Sequence, residues 1–397
     1  MTAALRALLD EAQAELPLAV ALRRKIHARP ELGLDLPETT AALLESLGGL
    51  GLELSRSRAT SGVVARLRTG RAGPAVLLRA DMDALPMPED TGLEFASRVD
   101  GRMHACGHDA HTAMLASAAR ILVRRRGELA GDVLFLFQPG EEGFAGARIM
   151  LGEALFDPRE VGRAFALHID PRVPVGHVAS RAGSLLASAD AFAIQVVGRG
   201  GHASMPHDAL DPIPIACEIV SALQSFVTRR MDAFDPAVVS VTKLAAGTTG
   251  NVIPETAELL GTIRTTSPRA RERAHAGVRQ VAEGIAAAHG AKAAVTIMEG
   301  YPVTVNDPVA FELARGVVGQ LLGEGAFIPM PAPIMGAEDF SFVLEKIPGA
   351  MLFLGVRPED PNLRAPCHSN RMVLNEAGMA HGIALHAALA LGALSRS

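Results

Sequence analysis

Short apolar runs alternate with longer amphipathic segments through the first 170 residues of the chain. Four of the runs have the length and apolar character of buried strands, at 62–67, 75–80, 132–137 and 163–169. The amphipathic segments predict helices, at 1–28, 112–126 and 145–155. Strands that alternate with helices in this way predict an α/β fold with a mainly parallel sheet and helices on both faces.

The middle of the chain follows a different pattern, in the order strand, helix, strand, strand, helix, strand. The predicted strands lie at 191–197, 237–244, 255–265 and 292–298, and the predicted helices at 210–230 and 269–289. This order is typical of a ferredoxin-like α+β arrangement. The first pattern then resumes with a helix from Asp307, a strand at 350–354 and a helix from Asn375. We therefore predict one α/β domain at 1–184 and 299–397, interrupted by a smaller domain at 185–298.

Length and composition agree with two domains and exclude several classes of partner. A chain of 397 residues is too long for one ordinary core, and 49% hydrophobic with 20% charged residues is typical of a soluble globular protein. A net charge of -5 without a long basic block gives no support for binding to nucleic acid. Three cysteines favour a reducing compartment. With no recognisable signal peptide or membrane-spanning segment, a cytoplasmic location is expected.

Polar side chains follow the predicted strands at the places where function gathers in such sheets. The heptapeptide ACGHDAH at 105–111 places Cys106 and His108 two residues apart, and a thiolate with an imidazole suits zinc better than calcium or magnesium. Further donors lie at or after other strands: Glu142, His168 and His368. Five donors exceed the needs of one tetrahedral zinc and suit two metals about 3.5–4 Å apart. The alternative is a set of separate polar loop residues.

Glu141 and Glu142 are adjacent in the loop QPGEEG, so on extended backbone their side chains point in different directions. One of them can bind a metal while the other stands over the metal-bound water as general base, and later as general acid to a leaving amine. The alternative is an acidic pair at the surface, favoured by a helix N-terminus.

These residues belong to motifs that run almost end to end. They are RRKIHARPELG at 23–33, RADMDALP at 79–86, MHACGHDAHTAM at 103–114, QPGEEGFAGA at 138–147, ALHIDPRVPVG at 166–176, GRGGHASMPH at 198–207, GNVIPE at 250–255, GTIRT at 261–265 and MGAEDFSFVLEKIPGA at 335–350. In content and order they resemble the dinuclear-metal aminoacylase and carboxypeptidase family. The branch they resemble holds hippurate hydrolases and indole-acetyl-amino-acid hydrolases.

The resemblance implies a zinc-peptidase-like catalytic domain with a ferredoxin-like lid and dimerisation domain. It implies five metal ligands: Cys106, His108, Glu142, His168 and His368. Glu141 is the implied base. Members of the wider family carry a histidine ligand where this chain has Asp81, and the cysteine-histidine pair is expected to replace it here. Asp83 and Asp339 are expected to orient ligands. Asp109 and His111 are expected to lie outside the ligand set.

The inserted domain is expected to contribute substrate contacts. In relatives the histidine equivalent to His202 crosses from the partner subunit, where it can stabilise an oxyanion. Asn251 and Arg264 resemble lid residues that hold the substrate's polar groups, and an arginine can donate two parallel hydrogen bonds to a carboxylate. Arg264 pairing with a structural acid is the open alternative. A homodimer or tetramer through the lid domain is expected.

The expected function is metal-dependent hydrolysis of the amide bond of N-acyl-amino acids, by a metal-bridging water that Glu141 activates. Two divalent ions per subunit are expected, with zinc favoured by the thiolate and manganese, cobalt or nickel as alternatives. A carboxypeptidase or dipeptidase acting on short peptides is the main alternative. A cysteine amidase using Cys106 and a non-catalytic binding protein are two further ones.

Overall fold

A computed structural model describes residues 3–395 and divides them into two compact units. The larger unit comprises residues 3–185, 305–332 and 339–395, and the smaller comprises 186–304 and 333–338. The boundaries predicted at 184/185 and 298/299 lie close to these, but the last strand of the smaller unit continues to Tyr301. The first two residues of the helix predicted at 1–28 lie outside the described part of the chain.

The helices in chain order are α1 (Ala3–His27), α2 (Pro37–Leu47), α3 (His108–Arg124), α4 (Gly146–Gly152), α5 (Pro212–Arg230), α6 (Pro268–Ala288), α7 (Pro308–Leu322), α8 (Ser341–Leu344) and α9 (Gly378–Ala393). The strands in chain order are β1 (Glu53–Arg56), β2 (Val63–Leu67), β3 (Gly73–Asp81), β4 (Gly131–Gln138), β5 (Val161–Asp170), β6 (Val178–Ser180), β7 (Gly183–Leu186), β8 (Ala189–Val197), β9 (Gly201–His202), β10 (Ala237–Ala246), β11 (Val252–Ile253), β12 (Thr256–Thr265), β13 (Lys292–Tyr301), β14 (Thr304–Asn306), β15 (Phe327–Pro329) and β16 (Gly349–Gly355). Among the described residues, no helix combines the length and hydropathy needed to cross a membrane.

The larger unit is built around an eight-stranded sheet in the order β1-β2-β4-β3-β5-β16-β6-β15. Its centre is parallel, because β3 pairs in parallel with both β4 and β5, and β5 pairs in parallel with β16. Every residue of β4 is buried, as expected for a central strand covered on both faces. The predicted α/β fold with a mainly parallel sheet is confirmed. The antiparallel additions at the two margins, such as β1 against β2, were not predicted.

The smaller unit contains a four-stranded antiparallel sheet in the order β10-β12-β8-β13. Helices α5 and α6 pack against it and against each other. The chain order β8-α5-β10-β12-α6-β13 is the order that the hydrophobic pattern predicts for a ferredoxin-like unit. A separate core of aliphatic residues from the sheet and both helices stabilises this unit.

Local sequence explains where several helices begin. Asp211, Ser267 and Asp307 cap α5, α6 and α7 by accepting backbone N–H bonds from the first turn, and a proline follows each of them. Helix α3 begins four residues earlier than predicted, at His108, because Gly107 adopts a left-handed conformation with φ 84°. His108 and His111 therefore lie in the first turn of a helix and not in a loop.

Candidate metal centre

The residues predicted to bind metal gather at one edge of the large sheet. Strands β4, β3 and β5 are neighbours and parallel, so their carboxyl ends meet there. Asp81 ends β3, the loop after β4 carries Glu142, and His168 lies near the end of β5. The first turn of α3 adds His108, and the loop after β16 adds His368.

Gly107 allows Cys106 and His108 to approach β5 closely. A Cβ atom built at Gly107 would lie 2.5 Å from Cγ1 of Ile169, and the positive φ also disfavours a side chain. The close approach places Cys106 Sγ 3.3 Å from His168 Nε2. The two residues are 62 positions apart in sequence, so the contact depends on the fold and not on the local spacing.

Five side chains form what we call the donor cluster: Cys106, His108, Glu142, His168 and His368. Two groups of three within it share the same thiol, since the ligand atoms of Cys106, His108 and His168, and those of Cys106, Glu142 and His368, lie within 4.8 Å of one another. Glu142 Oε1 lies 3.4 Å from His368 Nε2 and 4.0 Å from His108 Nε2. Catalytic zinc is usually held by three protein ligands, which is the number in each group. The Cys106 thiol belongs to both groups.

Asp83 connects the acidic pair to His108. Its two carboxylate oxygens accept the backbone N–H groups of Glu141 and Glu142, each at 3.0 Å. The same carboxylate lies 3.5 Å from His108 Nδ1. Asp83 is almost fully buried, so these contacts fix the conformation of the Glu141–Glu142 loop and the orientation of the imidazole together.

A second buried network fixes His111 and Asp81 behind the cluster. His111 Nε2 accepts the N–H of Ile169 at 2.8 Å, so the neutral ring carries its proton on Nδ1 and donates it to Asp81 Oδ1 at 2.6 Å. Arg79 donates to Asp81, Gln138 and Asp339, with distances of 2.6, 2.9 and 2.8 Å. Both nitrogens of His111 are therefore used by protein atoms.

Several polar atoms of the donor cluster are buried and lack a hydrogen-bond partner among the described residues. They are Nδ1 and Nε2 of His108 and Oε1 of Glu142. Such atoms cost free energy unless they are paired. Four carboxylates, those of Asp81, Asp83, Glu141 and Glu142, contact this region and give it a surplus of negative charge. Soft and hard donors in a negatively charged, partly buried site suit divalent transition-metal cations.

The titration of the cluster reflects this charge. Burial works against a charged His108, but the carboxylates of Asp81 and Asp83 raise its pKa well above the ordinary value. The hydrogen bond that the Cys106 thiol donates to Cys367, together with burial, raises the pKa of Cys106 well above its ordinary value. The protein alone therefore does not stabilise a Cys106 thiolate, whereas a coordinating cation would.

A different kind of cluster lies directly beside His108. We call it the ion-pair cluster, and it comprises Arg23, His27, Glu89, Asp109 and Glu376. Asp109 Oδ2 lies 3.0 Å from Arg23 Nε and 2.8 Å from His27 Nδ1. Glu376 Oε1 lies 2.6 Å from Arg23 Nη1, and Glu89 Oε1 lies 3.1 Å from His27 Nε2. Every charge in this cluster therefore has a neighbour of opposite charge.

The three predicted substrate-binding residues lie in the smaller unit. His202, in β9, is exposed, and its Nδ1 accepts the backbone N–H of Ser204 at 3.1 Å. The backbone carbonyl of Asn251 accepts the N–H of Ala203 at 3.1 Å, so Asn251 lies close to β9. Arg264, in β12, is half-buried and donates to the carbonyl of Ile263 at 3.1 Å.

Two residues of the site were not identified from the sequence. Arg79 stands in the motif RADMDALP, but nothing in the pattern shows that it is the centre of a buried network. Cys367 directly precedes a predicted ligand, yet only the fold shows its contact with Cys106. The sequence did contain one signal for Arg79. An arginine inside a predicted buried strand requires several hydrogen-bond acceptors.

The chain is similar to known proteins over most of its length. The model of the peptidase family M20/M25/M40 matches residues 77–392. The IAA-amino acid hydrolase ILR1-like 2 of Arabidopsis thaliana is 41% identical over 378 residues, covering 94% of this chain and 84% of the relative. The N-acetylcysteine deacetylase of Bacillus subtilis is 42% identical over 335 residues, covering 84% of this chain and 87% of the relative.

Two further proteins are similar to this chain over nearly its whole length. The thermostable carboxypeptidase 1 of Saccharolobus solfataricus is 39% identical over 376 residues, covering 94% of each chain. The crystal structure of a dinuclear metal binding peptidase of the M20 family from Bacillus subtilis superposes with a TM-score of 0.83 at 36% identity. That match covers 96% of this chain and 99% of the other.

Proposed function

The chain belongs to the peptidase family M20/M25/M40, and on that premise we propose that it is a metal-dependent amidohydrolase of N-acyl-amino acids. The observation that carries the proposal is the pair of donor groups that share Cys106. Relatives named as hydrolases of amino-acid conjugates and as deacetylases support this substrate class. Relatives named as carboxypeptidases favour the second candidate, cleavage of short peptides.

We propose that the donor cluster would hold two divalent cations, one at each of the two donor groups to which Cys106 belongs. The unpartnered atoms of His108 and Glu142 and the surplus negative charge fit such ions. A thiolate ligand favours zinc over manganese, cobalt or nickel. When bound, the two cations supply a water of lowered pKa and polarise the acyl carbonyl.

The chain's own residues then move the proton. Glu141 takes a proton from the attacking water and later delivers it to the nitrogen of the leaving amino acid. Asp83 accepts the backbone N–H of Glu141 and also contacts His108. The proposed base and the proposed ligand His108 are therefore held in fixed positions relative to each other. Asp81 and His111 hold the end of β3 against β5 through the bond to Ile169 N. In this proposal Asp83 acts through its neighbours and not on the substrate.

The smaller unit is proposed to act as a lid that binds substrate and joins two subunits. His202 Nδ1 accepts an N–H from Ser204, so its neutral ring carries the proton on Nε2, where it can donate to an oxyanion. The planar guanidinium of Arg264 can bind the carboxylate of the amino acid with two hydrogen bonds, and Asn251 can bind a further polar group. A homodimer in which His202 serves the partner's site, and a cytoplasmic location, remain part of this proposal.

The test is a hydrolysis panel on metal-stripped protein reloaded with zinc, manganese, cobalt or nickel. Benzoyl, acetyl and indole-acetyl amino acids are compared with dipeptides at each ion. We expect chelation to abolish activity, reloading to restore it, and acyl-amino acids to be cleaved with higher kcat/KM than dipeptides. Faster cleavage of dipeptides would instead support the peptidase candidate.

Two other outcomes would contradict the proposal. Activity that survives thorough metal removal but is lost on thiol alkylation would identify a cysteine amidase. Metal binding without turnover of any acyl-amino acid or peptide would identify a non-catalytic binding protein.

A further inference from the structure

One carboxylate outside the donor cluster lies within ligand distance of it. Asp81 ends β3, and its Oδ2 lies 3.6 Å from Nε2 of His108. Two atoms that bind one tetrahedral zinc at about 2.1 Å lie about 3.4 Å apart. Asp81, His108 and His111 also offer ligand atoms that lie within 4.8 Å of one another. By distance alone, Asp81 is as good a candidate ligand as Glu142, whose Oε1 is 4.0 Å from the same nitrogen.

Both side-chain oxygens of Asp81 already accept strong hydrogen bonds from the protein. Nη1 of Arg79 donates to Oδ2 at 2.6 Å, and Nδ1 of His111 donates to Oδ1 at 2.6 Å. The backbone carbonyl of Asp81 accepts the hydroxyl of Thr112 at 2.9 Å, which fixes the main chain at the same point. All four residues are almost fully buried. Asp81 therefore cannot turn toward a cation without breaking a buried, charge-assisted hydrogen bond.

Arg79 is itself fixed by two further acceptors. Its Nε donates to Oε1 of Gln138 at 2.9 Å, and its Nη2 donates to Oδ1 of Asp339 at 2.8 Å. Gln138 is the last residue of β4, and Asp339 lies just before α8, so the guanidinium is held from three directions. Its charge is permanent. A cation bound to Oδ2 of Asp81 would lie beside this fixed positive charge, and like charges repel strongly in buried surroundings.

We propose that Arg79 is a positioning residue that withholds Asp81 from the metal ions and so confines the ligands to the donor cluster. It acts through Asp81 and touches neither substrate nor metal. The group of Cys106, His108 and His168 then keeps one thiolate and two imidazoles, a set that suits zinc. An added carboxylate would shift that set toward manganese. Arg79 thereby sets the metal preference of this group, an inference that rests on the proposed function.

The first experiment needs no variant. It is a crystal structure of the full chain loaded with zinc. We expect zinc at the donor cluster, both oxygens of Asp81 outside the bonding distance of about 2.0–2.2 Å, and Nη1 of Arg79 still bound to Oδ2. A bond between Asp81 and zinc would overturn the inference and leave the proposed function standing. A donor cluster that takes up no zinc would overturn the proposed function, and the inference with it.

The second experiment uses the visible absorption of cobalt-loaded protein, whose intensity per bound cobalt falls as the coordination number rises. Arg79→Met should free Asp81 to bind, so the intensity should fall and the ratio of manganese to zinc affinity should rise about 10-fold. Asp81→Asn alone should leave the spectrum unchanged, and adding it to Arg79→Met should restore the parent spectrum, which completes a double-mutant cycle. Arg23→Met is the matched control, because Arg23 is a buried arginine that pairs with Asp109.

Arg79→Lys separates the charge from the hydrogen-bond network. A lysine keeps a positive charge beside Asp81 but lacks the planar fork that also reaches Gln138 and Asp339. We therefore expect the parent spectrum from Arg79→Lys. The inference is wrong if Arg79→Lys or Arg23→Met changes the spectrum as much as Arg79→Met does, or if Asp81→Asn alone changes it. Should Arg79→Met fail to fold, the crystal structure, Asp81→Asn and Arg79→Lys still decide the question.

Discussion

Two buried polar clusters lie next to each other in the larger unit, and they differ in how their charges are used. They meet at the first turn of α3, where His108 belongs to the donor cluster and Asp109 to the ion-pair cluster. In the ion-pair cluster each charged group lies within 3.1 Å of an opposite charge. In the donor cluster the opposite charges lie farther apart: His108 is 3.5 Å from Asp83, 3.6 Å from Asp81 and 4.0 Å from Glu142.

This difference indicates a structural role for Asp109 and a functional role for His108, although the two residues are adjacent in α3. Burying a charge is costly unless it is paired, so the ion-pair cluster offsets its own desolvation and stabilises the fold. The donor cluster is paired less closely, and the carboxylates around it outnumber the histidines that lie beside them, which is reasonable where an external cation completes the site. Two neighbouring polar clusters therefore do not imply equal roles. The arrangement of partners distinguishes them.

The largest expected effect is on kcat, and it distinguishes the role of Glu141 from that of Glu142. Glu141→Gln removes the proposed base, so we expect kcat to fall by about 10³-fold with metal content unchanged. Glu142→Gln is the matched control, and it should lose metal because Oε1 of Glu142 belongs to the donor cluster. Steady-state kinetics with metal analysis of both variants measure this. Equal metal loss in both variants would contradict the assigned roles.

A second change compares the two clusters by stability. Asp109→Asn leaves Arg23 and His27 buried without their shared counter-charge, so it should lower the free energy of unfolding by about 3–5 kcal/mol. The same acid-to-amide change at Glu142, in metal-free protein, should cost less, because the charged partner of Glu142 is the mostly exposed His368 at 3.4 Å and not a buried arginine. Thermal or denaturant unfolding of metal-free protein measures both. Similar losses for the two variants would show that the clusters do not differ as described.

The ion-pair cluster also predicts a dependence of stability on pH. Burial opposes a charged His27, but the charge and hydrogen bond of Asp109 and the hydrogen bond of Glu89 outweigh it and raise its pKa to about 9. A raised pKa gives stability that is fully present below the unfolded value of about 6.5 and is lost as the pH rises through about 9. The rise corresponds to about 3 kcal/mol.

His27→Gln should remove that pH-dependent part. We expect the parent protein to lose stability relative to the variant between about pH 6 and about pH 10, as measured by the free energy of unfolding. His289→Gln is the control, because His289 is an exposed residue that pairs with Glu218 in the smaller unit. A parent and a His27 variant with parallel pH profiles would be inconsistent with the raised pKa.

The smallest effect concerns the residue that positions the acidic loop. Asp83→Asn keeps the size but removes one of the oxygens that accept the N–H groups of Glu141 and Glu142. We expect metal affinity to fall by about 10- to 100-fold, as for other residues that orient ligands. Metal titration against a competing chelator measures it, with Asp90→Asn at an exposed ion pair as control. An unchanged affinity would limit Asp83 to a structural role.

The sequence predicted the large sheet well because its signals are local. Short apolar runs marked β3, β4 and β5 to within two residues at each end, and the helices predicted at 210–230 and 269–289 match α5 and α6 equally closely. The start of α3 was placed too late, because a polar motif was read as a loop and the left-handed Gly107 was not recognised as the residue before a helix. The short strands at the sheet margins carry too few residues for a periodic signal.

The site was predictable in part. The motif residues at the ends of the strands could be listed, and the fold brings five of them into the donor cluster. Their assignment as ligands stays a prediction. The contacts that fix them depend on long-range packing, such as Arg79 with Asp339, 260 positions away. No spacing in the sequence encodes such a pair, nor the backbone hydrogen bond between His368 and Ala105.

The exposed, left-handed residue His368 has a consequence for the order in which the site empties. Cys106 and His108 lie just before and at the start of α3, and His168 lies near the end of β5, so these three donors are held by ordered backbone before any ion arrives. His368, by contrast, is 56% exposed and adopts a left-handed conformation that is uncommon for a residue with a side chain. On the proposed function, the donor group that contains His368 would be the more accessible of the two, so a chelator should remove the cation held there before the other one.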